Sequence, residues 1–276
     1  MKTLKSKNIK LSYSINPFEI QSIIYEGNEI LYKKDGDWKK TWPIMFPVCG
    51  NLKANVTHLG KELDIKRHGF FHEILNWNVV EEKENSVFLE SINTNKDNNL
   101  YPFKYKIQIK IFVKNKKINA KIKVINMDDE VIYYSFGHHP AFQFKKGDKL
   151  TLNKEDSFIG EFPNGLMPEN YKPLKIKSFN YGEIDFSNSK SYLSFCNSKS
   201  LIIENKNVKY KIIYPNYSAF LLWAINEKAE YVCVEPWCGT PDYNGQQTTE
   251  IKDKKFILSL NKNKSKTHDF KINFIK

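Results

Sequence analysis

Residues 103–113, FKYKIQIKIFV, alternate apolar and polar side chains almost without interruption, and residues 118–125, INAKIKVI, do the same after an Asn-Lys-Lys turn. A period of two puts alternate side chains on opposite faces of a strand. The pair therefore reads as an antiparallel hairpin with one buried face and one face of lysines. Working outward, similar short runs occur at 8–13, 87–92, 131–136, 201–204, 208–214, 219–225, 231–235, 255–260 and 269–275, with Asn, Asp, Gly and Lys between them. Helical periodicity is nearly absent. Many short strands at regular spacing predict an all-β sandwich of large antiparallel sheets rather than a βαβ fold. The 15 Tyr and 19 Phe agree, because aromatic side chains suit the half-buried pleated surface of a sheet.

With 276 residues, no repeat, no low-complexity tract and no Pro/Gly/Ser linker, the chain is expected to form a single domain over 1–276. The start, MKTLKSKNIKLSY, lacks the continuous apolar stretch of a signal peptide. No later segment approaches the roughly 20 apolar residues of a membrane span. A cytoplasmic protein without a membrane partner is expected. Cys49, Cys196, Cys233 and Cys238 form no C-x-x-C pair and fit packing positions in a reducing compartment. A net charge of +12 raises nucleic acid as a partner, but the lysines are spread in strand-like alternation rather than clustered, as solvated sheet faces require. Nucleic-acid binding is therefore not expected. Among 43 basic residues the only arginine is Arg67, a planar bidentate donor immediately before His68.

Three clusters break the alternation with Pro, aromatic, His and acidic residues: 42–51 running on to 67–73, then 135–142, and finally 235–242. Loops and strand ends held by a rigid sheet are the usual carriers of chemistry. His68, His72, His138 and His139 fall in these clusters, and histidine is the proton shuttle of neutral pH. His138 and His139 point to opposite faces if the segment is extended, so at most one enters a given cleft; His139, fixed by Pro140, is the better candidate. Glu235 follows the apolar run 231–234 and is read as the end of a buried strand, where it serves either as a partly desolvated base or as a loop anchor. His68-x-x-x-His72 has zinc-ligand spacing for a helix, but Gly69 and two phenylalanines disfavour that helix, so no metal is expected. Trp42, Phe46, Phe70, Trp223 and Trp237 offer flat apolar surface for the C–H faces of a sugar. No G-x-S-x-G, P-loop or G-x-G-x-x-G occurs, leaving hydrolase and nucleotide readings without support.

The phrases WPIMFPVCGNLK, RHGFFHE, YPFKYKI, SFGHHPAF and CVEPWCGTPD together resemble the aldose 1-epimerase (mutarotase) family, in particular its LacX-like bacterial subgroup, in the family's order and over nearly the whole chain. The resemblance implies a galactose-mutarotase-like β-supersandwich with an open cleft across one sheet and no cofactor. It implies Glu235 as general base, His139 as general acid and His68 as the histidine that holds the sugar and its ring oxygen. The substrate-binding set expected with them comprises Asn51, His72, Arg67, Trp237 and Asp242. Three positions depart from the family's pattern: Asn51 and His72 stand where it commonly has Arg, and Lys199 lies near a usual acidic residue. Such changes at hydroxyl contacts alter which sugar is accepted while the acid–base pair is kept. The expected partner is a small-molecule monosaccharide, bound by a monomer or homodimer. A non-catalytic sugar-binding or sensing protein and a hexose-phosphate 1-epimerase are the alternatives.

Overall fold

The computed structural model describes residues 1–275 and is almost entirely β, with four short 3-10 turns and no α-helix among those residues. The hairpin forms as the alternation requires. Tyr105–Lys114 pairs antiparallel with Lys117–Asn126, and the two-residue turn closes on Asn115, whose φ of 53° lies in the left-handed region that Asn tolerates. Ile107, Ile109, Ile111 and Val113 face Val124, Ile122, Ala120 and Ile118, and all eight side chains are buried. Complete burial of each Ile or Val is worth about 1.5–3 kcal/mol relative to exposure, which fixes the register, since a slip of one residue would expose the whole row.

This hairpin belongs to a 15-stranded antiparallel sheet. From its outer edge the order is Asn78–Lys83, Ser86–Asn93, Tyr105–Lys114, Lys117–Asn126, Ser265–Phe274, Lys209–Ile213, Ser200–Glu204, Lys149–Ile159, Ser191–Ser194, Ala219–Trp223, Tyr231–Cys238, Phe136–His138 and Ile44–Met45. Ala141–Gln143 also pairs with Tyr231–Cys238, and Leu174–Asn180 with Lys149–Ile159. A separate four-stranded sheet, Lys2–Ser6, Ile9–Ser14, Glu19–Tyr25 and Asn28–Glu29, packs on the large one, with Tyr25 stacked on Phe274 at 4.0 Å between ring centroids. The sandwich closes over a continuous buried cluster that runs in sequence from Leu4 to Phe274.

Several boundaries differ from the sequence reading. The run at 131–136 is two strands: Ile132–Tyr134 pairs with Leu258–Leu260, while Phe136–His138 enters the large sheet. Strand structure in 255–260 is confined to Leu258–Leu260, because Ile251–Asp253 is a 3-10 turn and Phe256 has φ 59°. Lys149–Ile159 and Leu174–Asn180 escape the alternation test because a register shift between Thr151 and Asp156 interrupts the period. All four cysteines are free and buried.

Candidate active site

Tyr231–Cys238 carries the centre of the site. Cys233, Glu235 and Trp237 lie on one face of this strand, and Val232, Val234 and Cys238 on the other. Glu235 is therefore inside the strand, not at its end as the sequence reading had it. The neighbouring strand Ala219–Trp223 registers Trp223 with Cys233, Leu221 with Glu235 and Ala219 with Trp237. Leu221, Ala219, Met45, Cys49, Ile159, Met167 and Leu193 form a small apolar cluster around Trp237.

On the other side of Tyr231–Cys238 the partner chain is split. Phe136–His138 pairs with one end, Ala141–Gln143 pairs with the other, and His139-Pro140 bends between them. The bend is satisfied: His139 N–H donates to Pro43 O at 2.9 Å, Ala141 N–H to Thr41 O at 2.9 Å, and Pro140 O accepts Val234 N–H at 3.0 Å. Proline suits the bend because it has no N–H to leave unpaired. His139 Nε2 comes to 3.3 Å from Glu235 Oε2, with the histidine 8% and the glutamate 1% exposed. His138 points the opposite way, into the core, where its Nδ1 accepts a hydrogen bond from Trp42 Nε1 at 3.1 Å.

His68 reaches the same place from a loop. It has φ 66° and Gly69 has φ 71°; a Cβ on Gly69 would stand 2.0 Å from Phe46 O, so only glycine fits there. The His68 ring lies edge-on to His139 at 5.7 Å and to Trp237 at 5.9 Å. Gly50 N–H donates to its Nδ1 at 3.1 Å and Arg67 Nε–H approaches its Nε2 at 3.0 Å. A neutral imidazole accepts at one nitrogen only. Gly50 N–H is a main-chain donor, whereas exposed Arg67 can swing away. A His68 that keeps the Gly50 bond without Arg67 carries its proton on Nε2.

Two adjoining cavities of about 350 and 410 Å³ share Arg67, His68, Ser189 and Trp223. Asn51, Phe162, Lys190 and Trp237 line the first; Trp38, Lys40, His72 and His139 line the second. Volumes of this size suit small ligands. Trp38, absent from the sequence expectations, stacks on His139 at 5.1 Å and meets Trp223 edge-on at 5.6 Å. Its signal was a tryptophan after Asp35-Gly36-Asp37, in a polar loop rather than an alternating strand. Replacing Trp38 by Ala is expected to weaken sugar binding by about 0.5–1.5 kcal/mol, roughly 2- to 12-fold in KM or in calorimetric Kd, with the fold retained.

Burial dominates the electrostatics. Desolvation pushes His139 down to about 3, helped by the Arg67 and Lys40 charges. It pushes the Glu235 carboxyl well above the usual carboxylate range, with Arg67 and Trp237 opposing. His68 is driven well below 6.5, first by burial and then by His139, Arg67 and Lys40. Burial thus disfavours the charged form of each partner in the closely spaced His139–Glu235 pair, so the pair favours a single proton over none or two.

The aldose 1-epimerase family model matches residues 19–273. The chain belongs to the aldose 1-epimerase family. Protein LacX (chromosomal) of Lactococcus lactis subsp. lactis is 27% identical over 241 residues, 78% of this chain and 79% of that protein. Among solved structures, the galactose mutarotase related enzyme of Lactobacillus acidophilus superposes with a TM-score of 0.88 at 18% identity, covering 100% of this chain and 97% of that one. A galactose mutarotase-like protein of Lactobacillus casei ATCC 334 gives 0.83 at 19% identity, with 99% of each chain covered. The fold is galactose-mutarotase-like, as the resemblance implied.

In this aldose 1-epimerase family member, Glu235, His139, His68, Arg67 and Trp237 converge, and Asn51 and His72 stand on the cavity walls. Asn51 Nδ2 donates to Asn164 O at 3.3 Å, tying the first cavity's rim to the loop around Gly165. His72 sits exposed in a 3-10 turn beside Glu73, so the helical zinc spacing of His68 and His72 does not arise. Asp242 does not reach the cleft. Its buried carboxylate accepts Lys53 N–H at 3.0 Å and the Lys254 ammonium, because a charge in that loop needs internal partners; it is a loop anchor, not a sugar contact. Lys199 is also elsewhere, donating to Tyr217 O at 2.6 Å. Trp42, Phe46 and Phe70 are buried in the core and offer no surface to a ligand; of the five aromatics proposed as sugar platforms, Trp223 and Trp237 line the cleft.

Proposed function

We propose that this chain is an isomerase that interconverts the α and β anomers of an aldose by opening and reclosing its ring. The observation that carries the reading is the His139–Glu235 contact at 3.3 Å, with His139 on the wall of the second cavity; the reading takes the pair to share a single proton. In the productive arrangement that proton lies on His139 and Glu235 is the carboxylate. Glu235 takes the proton of the anomeric hydroxyl as His139 gives its own to the ring oxygen; the C1–ring oxygen bond breaks and the C1 carbonyl forms. Rotation about C1–C2 presents the other carbonyl face. Reclosure returns one proton from the former ring oxygen to His139 and one from Glu235 to the new anomeric hydroxyl. Nothing is consumed. His68, with its proton on Nε2, steadies the ring oxygen, and Arg67 turns from His68 to a substrate hydroxyl. Following the optical rotation of freshly dissolved pure α-anomers, over a panel of aldoses, tests the reading: at least one sugar must equilibrate faster with the protein than without it.

One observation favours a second reading, a sugar bearing an anionic group. Lys40 and Arg67 both line the second cavity, neither makes an ion pair among the described residues, and no carboxylate stands on the wall beside them. Glucose and glucose 6-phosphate separate the two. A KM at least tenfold lower for the phosphate, rising with salt and lost in Arg67→Gln, favours the anionic sugar; equal or weaker binding of the phosphate favours the free aldose.

A further inference from the structure

The reaction proposed above leaves Cys233 unused, although it lies beside the reacting pair. Cys233 and Glu235 are two residues apart on one strand and project to the same face, and His139 approaches from the adjoining bend. One potential ligand atom from each, Cys233 Sγ, a Glu235 carboxylate oxygen and a His139 ring nitrogen, all lie within 4.8 Å of one another. We propose that these three side chains form a site for a thiophilic divalent cation, with Zn²⁺ as its natural representative, and that occupation of the site inhibits the protein.

Three observations support the site. The first is geometric: Zn²⁺ with ligands at about 2.0–2.3 Å needs them roughly 3.5 Å apart, so contraction of about an ångström completes a three-ligand set. The His139–Glu235 separation is already 3.3 Å. The second is charge: a thiolate and a carboxylate cancel the cation's two charges and the imidazole adds none, so the complex is neutral where a net charge would be costly. The third is hydrogen bonding. Glu235 Oε1 and His139 Nδ1 are buried without a hydrogen-bond partner in the protein, and the Glu235 side chain is 1% exposed. Coordination through a Glu235 oxygen compensates one of these groups directly.

His139 also lines the cavity with Trp38 and Trp223, from which a water or a substrate oxygen would complete a fourth position. Cation binding would engage both members of the acid–base pair, so it competes with proton transfer instead of assisting it. This consequence rests on the proposed reaction; binding itself does not.

Cobalt(II) reports the site independently of turnover. Full-length protein, stripped with a chelator, is titrated with Co²⁺ alone. One equivalent is expected to produce a near-ultraviolet thiolate-to-cobalt charge-transfer band together with the visible bands of four-coordinate cobalt, and Zn²⁺ is expected to bleach both. Cys233→Ser and Cys233→Ala, the latter burying no hydroxyl, should lose the charge-transfer band and bind at least tenfold more weakly. Cys196→Ser should behave as wild type. Zn²⁺ should slow wild-type mutarotation at least tenfold, reversibly with chelator, and the Cys233 variants should keep the metal-free rate while needing at least tenfold more Zn²⁺ for the same inhibition. A wild-type protein without the charge-transfer band, or a band that survives in both Cys233 variants, overturns the site. A normal cobalt spectrum with no mutarotation of any sugar leaves the site standing and removes the enzyme reading instead.

Discussion

Glu235→Gln is expected to lower kcat/KM for mutarotation by about 10²–10⁴-fold, the range typical of losing one positioned acid–base group. Glutamine preserves the size and carbonyl of the side chain, so sugar binding measured by calorimetry should persist. That combination separates catalysis from the non-catalytic alternative, in which wild type also binds sugar and neither protein changes the rate. The pH profile sharpens the test. Productive protein holds one proton on the pair: below about 3, where His139 gains a second, activity falls, and above the raised value of Glu235 the pair loses the proton that the ring oxygen needs. Wild type should therefore lose activity in acid and again where the raised Glu235 carboxyl ionises, the upper limb lying above the usual carboxylate range because that carboxyl is buried in a dry strand. An upper limb unchanged in Glu235→Gln would count against the pair as the seat of the reaction.

Gly69→Ala is expected to be the most damaging single methyl in the chain. The residue has φ 71° and its new Cβ would meet Phe46 O at 2.0 Å and Pro47 N at 2.7 Å, both backbone atoms that no rotamer change can move. A left-handed conformation costs a non-glycine residue roughly 1–2 kcal/mol, and overpacking about 1–3 kcal/mol more. The sum, about 2–5 kcal/mol, corresponds to a fall in Tm on the order of 4–20 °C by circular dichroism. Because Gly69 adjoins His68, the surviving folded fraction should also have lost turnover. A variant with wild-type Tm and rate would show that the His68 loop sits elsewhere.

The sheet was readable because its physics is local. A strand exposing one face to water must alternate, and FKYKIQIKIFV does so with a one-residue slip penalised along its whole length. The same period separates His138 from His139, and the two rings do point to opposite sides. Legibility ended where the chain stops alternating. Glu235 reads as a strand end because the apolar run 231–234 stops there, yet the strand continues to Cys238: Val234 N–H is paired with Pro140 O, and at Pro236 there is no amide to satisfy. Asp242 shares its phrase with Trp237 but turns inward to Lys254, a partner 12 residues away that spacing alone does not disclose. Trp38 joins the cleft through a loop whose path is set by tertiary packing, as its stacking on His139 shows.

Ser265–Phe274 lies in the interior of the large sheet, between Lys117–Asn126 and Lys209–Ile213. During synthesis those two strands emerge without the one that joins them, and each presents ten or fewer unpaired backbone positions to the cell until residues 265–274 arrive. Pairings over such sequence separations form slowly, because loop closure must precede any gain from contact. The nascent chain therefore passes through a stage with two open edges of strand, the condition under which neighbouring chains pair with one another. Soluble yield should depend on growth temperature and chaperone supply more steeply than the stability of the finished sandwich would indicate.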